Sequence, residues 1–189
     1  MNALACAWFL IGEFVMAGMA QTAWFAAPLS RRLAWPVDGR ATFRGRRVFG
    51  ANKTLRGFVV MVPAAALAFA LVASLVGDPA AAGLWRLSIP GYALLGACAG
   101  LGFMAGELPN SFVKRQLDVG PGDRARTPAV AAVQFLIDRI DSGVGMLIAV
   151  SLVAPTPPMT WLLVLVIGPM FHWMFSVLMF YLGLKARAA

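Results

Sequence analysis

Residues 106–142 read GELPNSFVKRQLDVGPGDRARTPAVAAVQFLIDRIDS. Two apolar runs meet in this stretch across a short basic turn, and three acidic residues, Glu107, Asp138 and Asp141, lie within those runs. An ionisable residue inside a membrane-spanning segment costs roughly 2.5 to 3.5 kcal/mol on insertion scales, so such residues usually serve a function. The stretch therefore predicts a membrane protein that has a polar site inside its helix bundle.

The composition is that of an integral membrane protein. Of the 189 residues, 60% are hydrophobic and only 13% are charged, and the mean hydropathy is +0.78. A soluble domain would carry roughly 25% charged residues. Because no long polar segment remains to build a second domain, we expect one all-α membrane domain over residues 1–189, a helix bundle surrounded by the lipid bilayer.

Five apolar runs predict transmembrane helices. A helix needs about 20 predominantly apolar residues to cross the hydrocarbon core of a bilayer, and each run reaches about that length. The expected helices cover about 3–29, 57–76, 91–112, 129–153 and 161–184, and the expected cytoplasmic loops cover 30–56 and 113–128.

The basic residues predict the orientation of the bundle. Of the 16 Lys and Arg residues, eight lie in the first of these loops, four in the second and two in the C-terminal tail. Basic residues accumulate on the cytoplasmic side of membrane proteins. We therefore expect the N-terminus outside, the C-terminus in the cytoplasm, and residence in the cell (inner) membrane. This placement accounts for the net charge of +8 without a nucleic-acid partner.

Two acidic residues of the fourth predicted helix share one face, because Asp138 and Asp141 are three residues apart. In a structural interpretation, Arg139 or a cation from a neighbouring helix neutralises one carboxylate and fixes the helix register. In a functional interpretation, carboxylates from two helices hold a divalent metal, since hard cations such as Mg²⁺ prefer carboxylate and phosphate oxygens. A transporter or a proton relay fits the carboxylates equally well.

Cationic and hydroxyl side chains are interleaved at two predicted helix ends. Glu107, Ser111 and Lys114 follow one another at helical spacings, so they line one side of the third helix near the expected cytoplasmic surface. A second group, in the stretch 52–57, lies at the start of the second helix. Such groups at helix ends are good phosphate ligands.

The third helix also contains two small-residue spacings, Gly96/Gly100 and Gly102/Gly106. Small residues allow helix backbones to approach closely in lipid. The spacings predict tight packing within the bundle, and the alternative is a homodimer face.

Two motifs resemble those of a known enzyme family. Residues 111–115, SFVKR, followed by residues 138–142, DRIDS, resemble the Ser-x-x-Lys-Arg and Asp-Arg-x-Asp pattern of the CTP:phosphatidate cytidylyltransferases. The short length, the five helices and the stretch 36–57 are closer to the related CDP-archaeol synthase branch. Because the motifs combine features of both, phosphatidate and an archaeal-type isoprenoid ether lipid phosphate both stay open as substrates.

The resemblance implies a reaction in which CTP and a membrane lipid phosphate give a CDP-lipid and pyrophosphate, at a site that faces the cytoplasm. It also implies Mg²⁺ as a cofactor, expected as a metal pair. The rival hypothesis, from the carboxylates alone, is a small membrane transporter or ion-handling protein. The implied residues are Asp138, Asp141 and Lys114 for catalysis; Asn52, Lys53, Thr54, Arg56, Ser111 and Arg115 for substrate binding; and Glu107, Asp138 and Asp141 for the metal.

Overall fold

The computed structural model describes residues 1–120, 123 and 128–184. Five long helices form most of the structure, and a two-stranded hairpin lies between the first two. The basic residues Arg124, Arg126, Lys185 and Arg187, which contributed to the predicted orientation, lie outside the described residues. The helices are α1 (Ala3–Ala26), α2 (Leu55–Val76), α3 (Ile89–Gln116), α4 (Pro128–Val153) and α5 (Pro158–Tyr181), and the antiparallel strands are β1 (Thr42–Phe43) and β2 (Arg46–Arg47).

The helix ends differ from the predicted ones for local reasons. α1 ends at Ala26 rather than near Leu29, because a short 3-10 helix begins at Pro28 and runs to Leu33. α3 is longer than predicted at both ends. At its start, the Ser88 hydroxyl oxygen caps the helix by accepting a hydrogen bond from the Gly91 amide (3.3 Å). At its end, the last turn contains two basic residues, which the helix dipole favours there. α5 begins at Pro158, a residue that suits the first turn of a helix.

Four of the helices, α1, α2, α3 and α5, are long and apolar enough to cross a membrane, judged by length and composition alone. α4 is 26 residues long, but every window of 18 residues within it contains Asp138, Arg139 and Asp141. The prediction of an all-α membrane bundle is confirmed. The fifth crossing and the orientation of the bundle stay predictions.

α3 is the central helix, with α2 on one side and α4 on the other. A Cβ atom placed on Gly100 would lie 2.8 Å from the Met61 carbonyl oxygen of α2, and one placed on Gly106 would lie 2.5 Å from the Asp141 carbonyl oxygen of α4. Side chains do not fit at such distances, so both helix crossings require glycine. The glycine spacings therefore serve packing within the bundle, and the homodimer face stays a prediction.

The end of the bundle that lies away from the hairpin is closed by an aromatic cluster, which we call the closed end. The Phe9 ring of α1 contacts the rings of Phe69 in α2 and Tyr92 in α3, with centroids 5.2 and 5.5 Å apart. The buried Trp85 side chain donates a hydrogen bond from Nε1 to the Pro155 carbonyl oxygen (2.8 Å), just beyond the end of α4. The cluster therefore joins α1, α2, α3 and the end of α4.

α4 is packed unevenly along its length. In its C-terminal half, Leu147 and Val150 are fully buried. In its N-terminal half, the apolar side chains of Val133, Phe135 and Leu136 are exposed, as expected of a surface that faces lipid. α4 is thus buried at the closed end and exposed at the opposite end, and Asp138 and Asp141 lie near its middle.

Candidate active site

Asp38 organises the basic loop, which we define as residues 30–56. Its side chain is fully buried, Oδ1 lies 2.5 Å from the Arg47 guanidinium, and Oδ2 accepts hydrogen bonds from the backbone amides of Phe49 (3.0 Å) and Gly50 (3.2 Å). Burial raises the pKa of this carboxyl, but the hydrogen bonds from Arg47 and from backbone amides outweigh burial and lower the pKa to about 2. Asp38 is therefore ionised at neutral pH and holds the loop in one conformation.

Backbone hydrogen bonds place the end of the basic loop at the start of α2. The Val37 amide donates to the Lys53 carbonyl oxygen (2.8 Å), and the Leu55 amide donates to the Trp35 carbonyl oxygen (2.9 Å). Gly50 has φ +96°, a conformation that other residues rarely adopt. The turn at this glycine brings the loop close to the side chain at the end of α3, Arg115.

The three acidic residues of α3 and α4 belong to one hydrogen-bonded network. Asn110 of α3 donates from Nδ2 to Asp138 Oδ1 (2.5 Å) and to Asp141 Oδ2 (2.8 Å). The buried Ser142 hydroxyl donates to Glu107 Oε1 (2.9 Å) and lies 3.3 Å from Asp141 Oδ1. The network forms because the glycine crossing brings the two helix backbones into contact at this level.

Two lysines neutralise this network. Lys53 of the basic loop pairs with Glu107, and Lys114 of α3 pairs with Asp138. Burial lowers the pKa of the Lys53 ammonium, but the charge and hydrogen bond of Glu107, together with the charges of Asp141 and Asp138, outweigh burial and raise it above its usual range. Lys114 is a cation from a neighbouring helix of the kind that the structural interpretation allowed, whereas the described ion pairs include neither Arg139 nor Asp141.

Three arginines bring buried nitrogen atoms that have no hydrogen-bond partner among the described residues. These atoms are Nε of Arg56, Nε and Nη1 of Arg115, and Nε and Nη2 of Arg139. The Arg56 guanidinium lies 4.6 Å from the centre of the Phe25 ring, and the Arg139 guanidinium lies 4.3 Å from that of Phe135. Buried donors without acceptors are costly, so this arrangement favours an anionic ligand.

The acidic residues of the network, the two lysines and the three arginines line one cavity of about 610 Å³, which we call the site cavity. Its volume lies within the range of about 300 to 1,000 Å³ that is usual for small-molecule sites. Every residue that the sequence assigned to the site lines it, although their individual roles stay predictions. These residues are Asn52, Lys53, Thr54, Arg56, Glu107, Ser111, Lys114, Arg115, Asp138 and Asp141.

The carboxylates suit a divalent cation in part. Because one nitrogen atom of Asn110 lies within hydrogen-bond distance of both Asp138 Oδ1 and Asp141 Oδ2, these two hard oxygen donors converge on one point. Glu107 joins the network through the Ser142 hydroxyl instead. Among the described residues, no group of three or more His, Cys, Asp or Glu side chains is arranged to hold a metal. The geometry thus fits two of the three predicted metal ligands, and the complete set stays a prediction.

Sequence reasoning missed three residues that shape the site. Asn110 is three residues after Glu107 and four before Lys114, a spacing that places it on the same helix face and that could have identified it. Ser142 follows Asp141 directly and gave no separate signal. His172 of α5 contacts the Phe103 ring (6.3 Å between centroids) and also lines the site cavity, but a single histidine within an apolar run gave no signal of this position.

Comparisons with known proteins agree with the geometry. Residues 25–188 match the family described as CarS-like: CDP-archaeol synthase. The chain is 35% identical over 153 residues to the CDP-archaeol synthase of Methanopyrus kandleri, with 79% of this chain and 77% of that protein covered. It is 33% identical over 157 residues to the CDP-archaeol synthase of Halorubrum lacusprofundi, with 79% and 81% covered.

A solved structure has a similar fold. It is described as an intramembrane enzyme for archaeal membrane lipids biosynthesis, and it superposes with a TM-score of 0.63 over 90% of this chain and 92% of that one. Because the two sequences are 24% identical, this likeness concerns the fold alone.

Proposed function

We propose that this chain, which belongs to the CDP-archaeol synthase family, is a CTP-dependent cytidylyltransferase. It acts on a lipid phosphate in the membrane. CTP and the lipid phosphate would give a CDP-lipid and pyrophosphate. The names of the relatives favour an isoprenoid ether lipid phosphate over phosphatidate. The family also favours this reaction over the small transporter that the carboxylates alone would allow.

The observation that carries the proposal is the convergence of opposite charges from separate elements on one cavity. The basic loop supplies Lys53, α3 supplies Glu107 and Lys114, and α4 supplies Asp138 and Asp141. Two anionic substrates need cations that bring them together. Carboxylates within a membrane-spanning bundle are costly, so their presence in the same site indicates that they have a function.

The reaction is a displacement at the α-phosphorus of CTP. An oxygen of the lipid phosphate, already an anion at neutral pH, attacks that phosphorus. The bond between the α-phosphorus and the oxygen that bridges to the β-phosphorus breaks, and pyrophosphate leaves with the electron pair. Because the protein does little covalent chemistry in such a transfer, catalysis consists of positioning and of charge neutralisation.

The described side chains suit these tasks. In the proposal, Lys53 and Arg115 bind the phosphates of CTP from the basic loop and the end of α3. Thr54 and Ser111 are buried hydroxyl residues on the cavity wall that complete this phosphate site. Lys114 lies between the acidic network and the cavity, where it can neutralise charge that develops on the leaving pyrophosphate.

Magnesium is proposed as the cofactor. Asp138, Asp141 and Glu107 are the residues that would hold it, since their carboxylates line the same cavity. When bound there, it would neutralise phosphate charge that the lysines alone leave uncompensated. We propose further that two ions are bound, since two metals can stabilise both the attacking and the leaving oxygen.

We also propose that the site faces the cytoplasm of the cell membrane. The basic loop lies at the same end of the bundle as the site cavity, and basic loops accumulate on the cytoplasmic side. CTP would enter from that side, while the lipid stays in the bilayer and enters between helices.

The test is pyrophosphate release by the purified protein. It would be supplied with CTP, Mg²⁺ and either phosphatidate or an isoprenoid ether glycerol phosphate in mixed micelles. We expect release with at least one lipid, and no release with either lipid would refute the proposal. Asp141→Asn should abolish release in a folded protein, whereas Asp78→Asn, a matched change at an exposed residue of the α2–α3 loop, should leave it unchanged.

A further inference from the structure

Arg139 is a charged residue of the site cavity to which the proposed function gives no role. It follows Asp138 directly, yet the described ion pairs join Asp138 to Lys114 instead. Its guanidinium is held 4.3 Å from the centre of the Phe135 ring, one helical turn earlier in α4. The side chain is thus packed against an aromatic ring, and the described ion pairs do not include it.

The two atoms of Arg139 that lack a partner lie on one edge of its guanidinium group. Nε and Nη2 are both buried, and neither has a hydrogen-bond partner among the described residues. These two N–H groups point in the same direction, the geometry with which arginine binds two oxygens of one phosphate or carboxylate. The charges of Asp138 and Asp141 act on Arg139. The described hydrogen bonds of these carboxylates, however, come from Asn110, Ser142 and Lys114, so the open edge of the guanidinium can bind an external oxyanion as its partner.

The surroundings of Arg139 distinguish between the two substrates. Lys53 and Arg115 reach the cavity from the basic loop and from the end of α3, neither of which belongs to the lipid-facing surface of α4. Arg139 instead stacks on Phe135, which is 48% exposed beside Leu136, which is 59% exposed, on the lipid-facing surface of α4. Arg139 therefore lies between that surface and the cavity.

We infer that Arg139 binds the phosphate group of the lipid substrate, with Nε and Nη2 donating to two of its oxygens. This assignment rests on the proposed function for its substrate. The lipid chains would lie along the exposed apolar face of α4, and the phosphate would reach the cavity next to Asp138. The attacking oxygen would then be held by a residue different from those that hold CTP.

The first experiment separates the two Michaelis constants. Arg139→Gln should raise the KM for lipid phosphate, measured as mole fraction in mixed micelles, by about tenfold or more, and leave the KM for CTP within about twofold. Arg139→Lys keeps the charge but loses the two-donor edge, so its lipid KM should lie between those of the wild type and Arg139→Gln. The control is Arg86→Gln, the same change at an exposed residue of the α2–α3 loop, which should match the wild type.

The second experiment measures lipid binding without CTP. Phosphatidate, and separately an isoprenoid ether glycerol phosphate, should raise the thermal unfolding temperature of the wild type more than the corresponding unphosphorylated lipid does. Arg139→Gln should abolish that difference. This readout does not depend on turnover, so it also tests the assignment in a protein that proves inactive.

The outcomes keep the two proposals distinct. A wild type that turns over no lipid phosphate, but whose stabilisation by lipid phosphate requires Arg139, would refute the proposed reaction and support the assignment. Normal turnover with an unchanged lipid KM in both variants would refute the assignment and leave the reaction standing. A rise in the KM for CTP alone would also refute it, because Arg139 would then bind the nucleotide.

Discussion

Gly106→Ala should force α3 and α4 apart at the level of the acidic residues. The new Cβ atom would lie 2.5 Å from the Asp141 carbonyl oxygen and 2.9 Å from the Gly145 Cα atom, both of them backbone atoms that cannot rotate away. Ordinary van der Waals contact begins at 3.4 Å, so the helices must separate by about 0.9 Å. Overpacking of this kind costs about 1 to 3 kcal/mol of stability.

The loss of activity should exceed what the loss of stability explains. Glu107 follows Gly106 directly, and Asp141 supplies the backbone oxygen that is displaced, so the shift moves both acidic residues relative to each other. A displacement of about 1 Å at a reacting centre can reduce the rate about 100-fold. We therefore expect kcat per folded molecule, measured by pyrophosphate release, to fall about 100-fold.

Gly96→Ala is the matched control. A Cβ atom on Gly96 would meet the Ala65 carbonyl oxygen of α2 at the same 2.5 Å, but about 15 Å along α3 from Gly106. It should therefore lower the unfolding temperature by a similar amount and keep most of the activity per folded molecule. Wild-type kcat in Gly106→Ala, or equal loss of kcat in both variants, would refute the reasoning.

Three further variants test other parts of the site. Asp38→Asn should destabilise the protein by about 1 to 2 kcal/mol at pH 7. Because the folded-state pKa of Asp38 is lowered, the difference in stability between the variant and the wild type should shrink as pH falls from about 4 towards 2. Equal destabilisation in thermal unfolding at pH 7 and pH 3 would contradict this. Asn110→Ala should raise the Mg²⁺ concentration for half-maximal activity about tenfold, since a residue that orients metal ligands is lost; an unchanged Mg²⁺ dependence would remove Asn110 from that role. Lys53→Met should unfold at a lower temperature than Lys53→Met/Glu107→Gln, because the single variant leaves a carboxylate without its cation, and the opposite order would contradict the ion pair.

The sequence identified the polar region of the bundle because ionisable residues are rare within membrane-spanning segments. A carboxylate within an apolar run has few uses, so Glu107, Asp138 and Asp141 identified the polar region without any knowledge of the fold. Helical spacing then placed the two aspartates on one face. These arguments depend on local sequence alone, and the structure places all three residues in one network.

The partners of these residues could not be predicted in the same way. That Lys53 pairs with Glu107 and Lys114 with Asp138 depends on how the basic loop docks on α3, which depends in turn on the buried Asp38. Asp38 lies in the stretch 36–57, and nothing in its local sequence indicates that its side chain is buried. The position of His172 depends on how α5 packs, for which no local pattern exists.

The uneven packing of α4 determines how this helix can move. Its C-terminal half is fixed among buried side chains at the closed end, so any tilt must pivot there. α4 has 26 residues, so its free N-terminal half is roughly 20 Å long and a tilt of about 5° moves its end by about 2 Å. The glycine crossing lies nearer the pivot and shifts much less. Such a tilt therefore changes the cavity wall formed by the N-terminal half of α4 and leaves the contact between α3 and α4 in place.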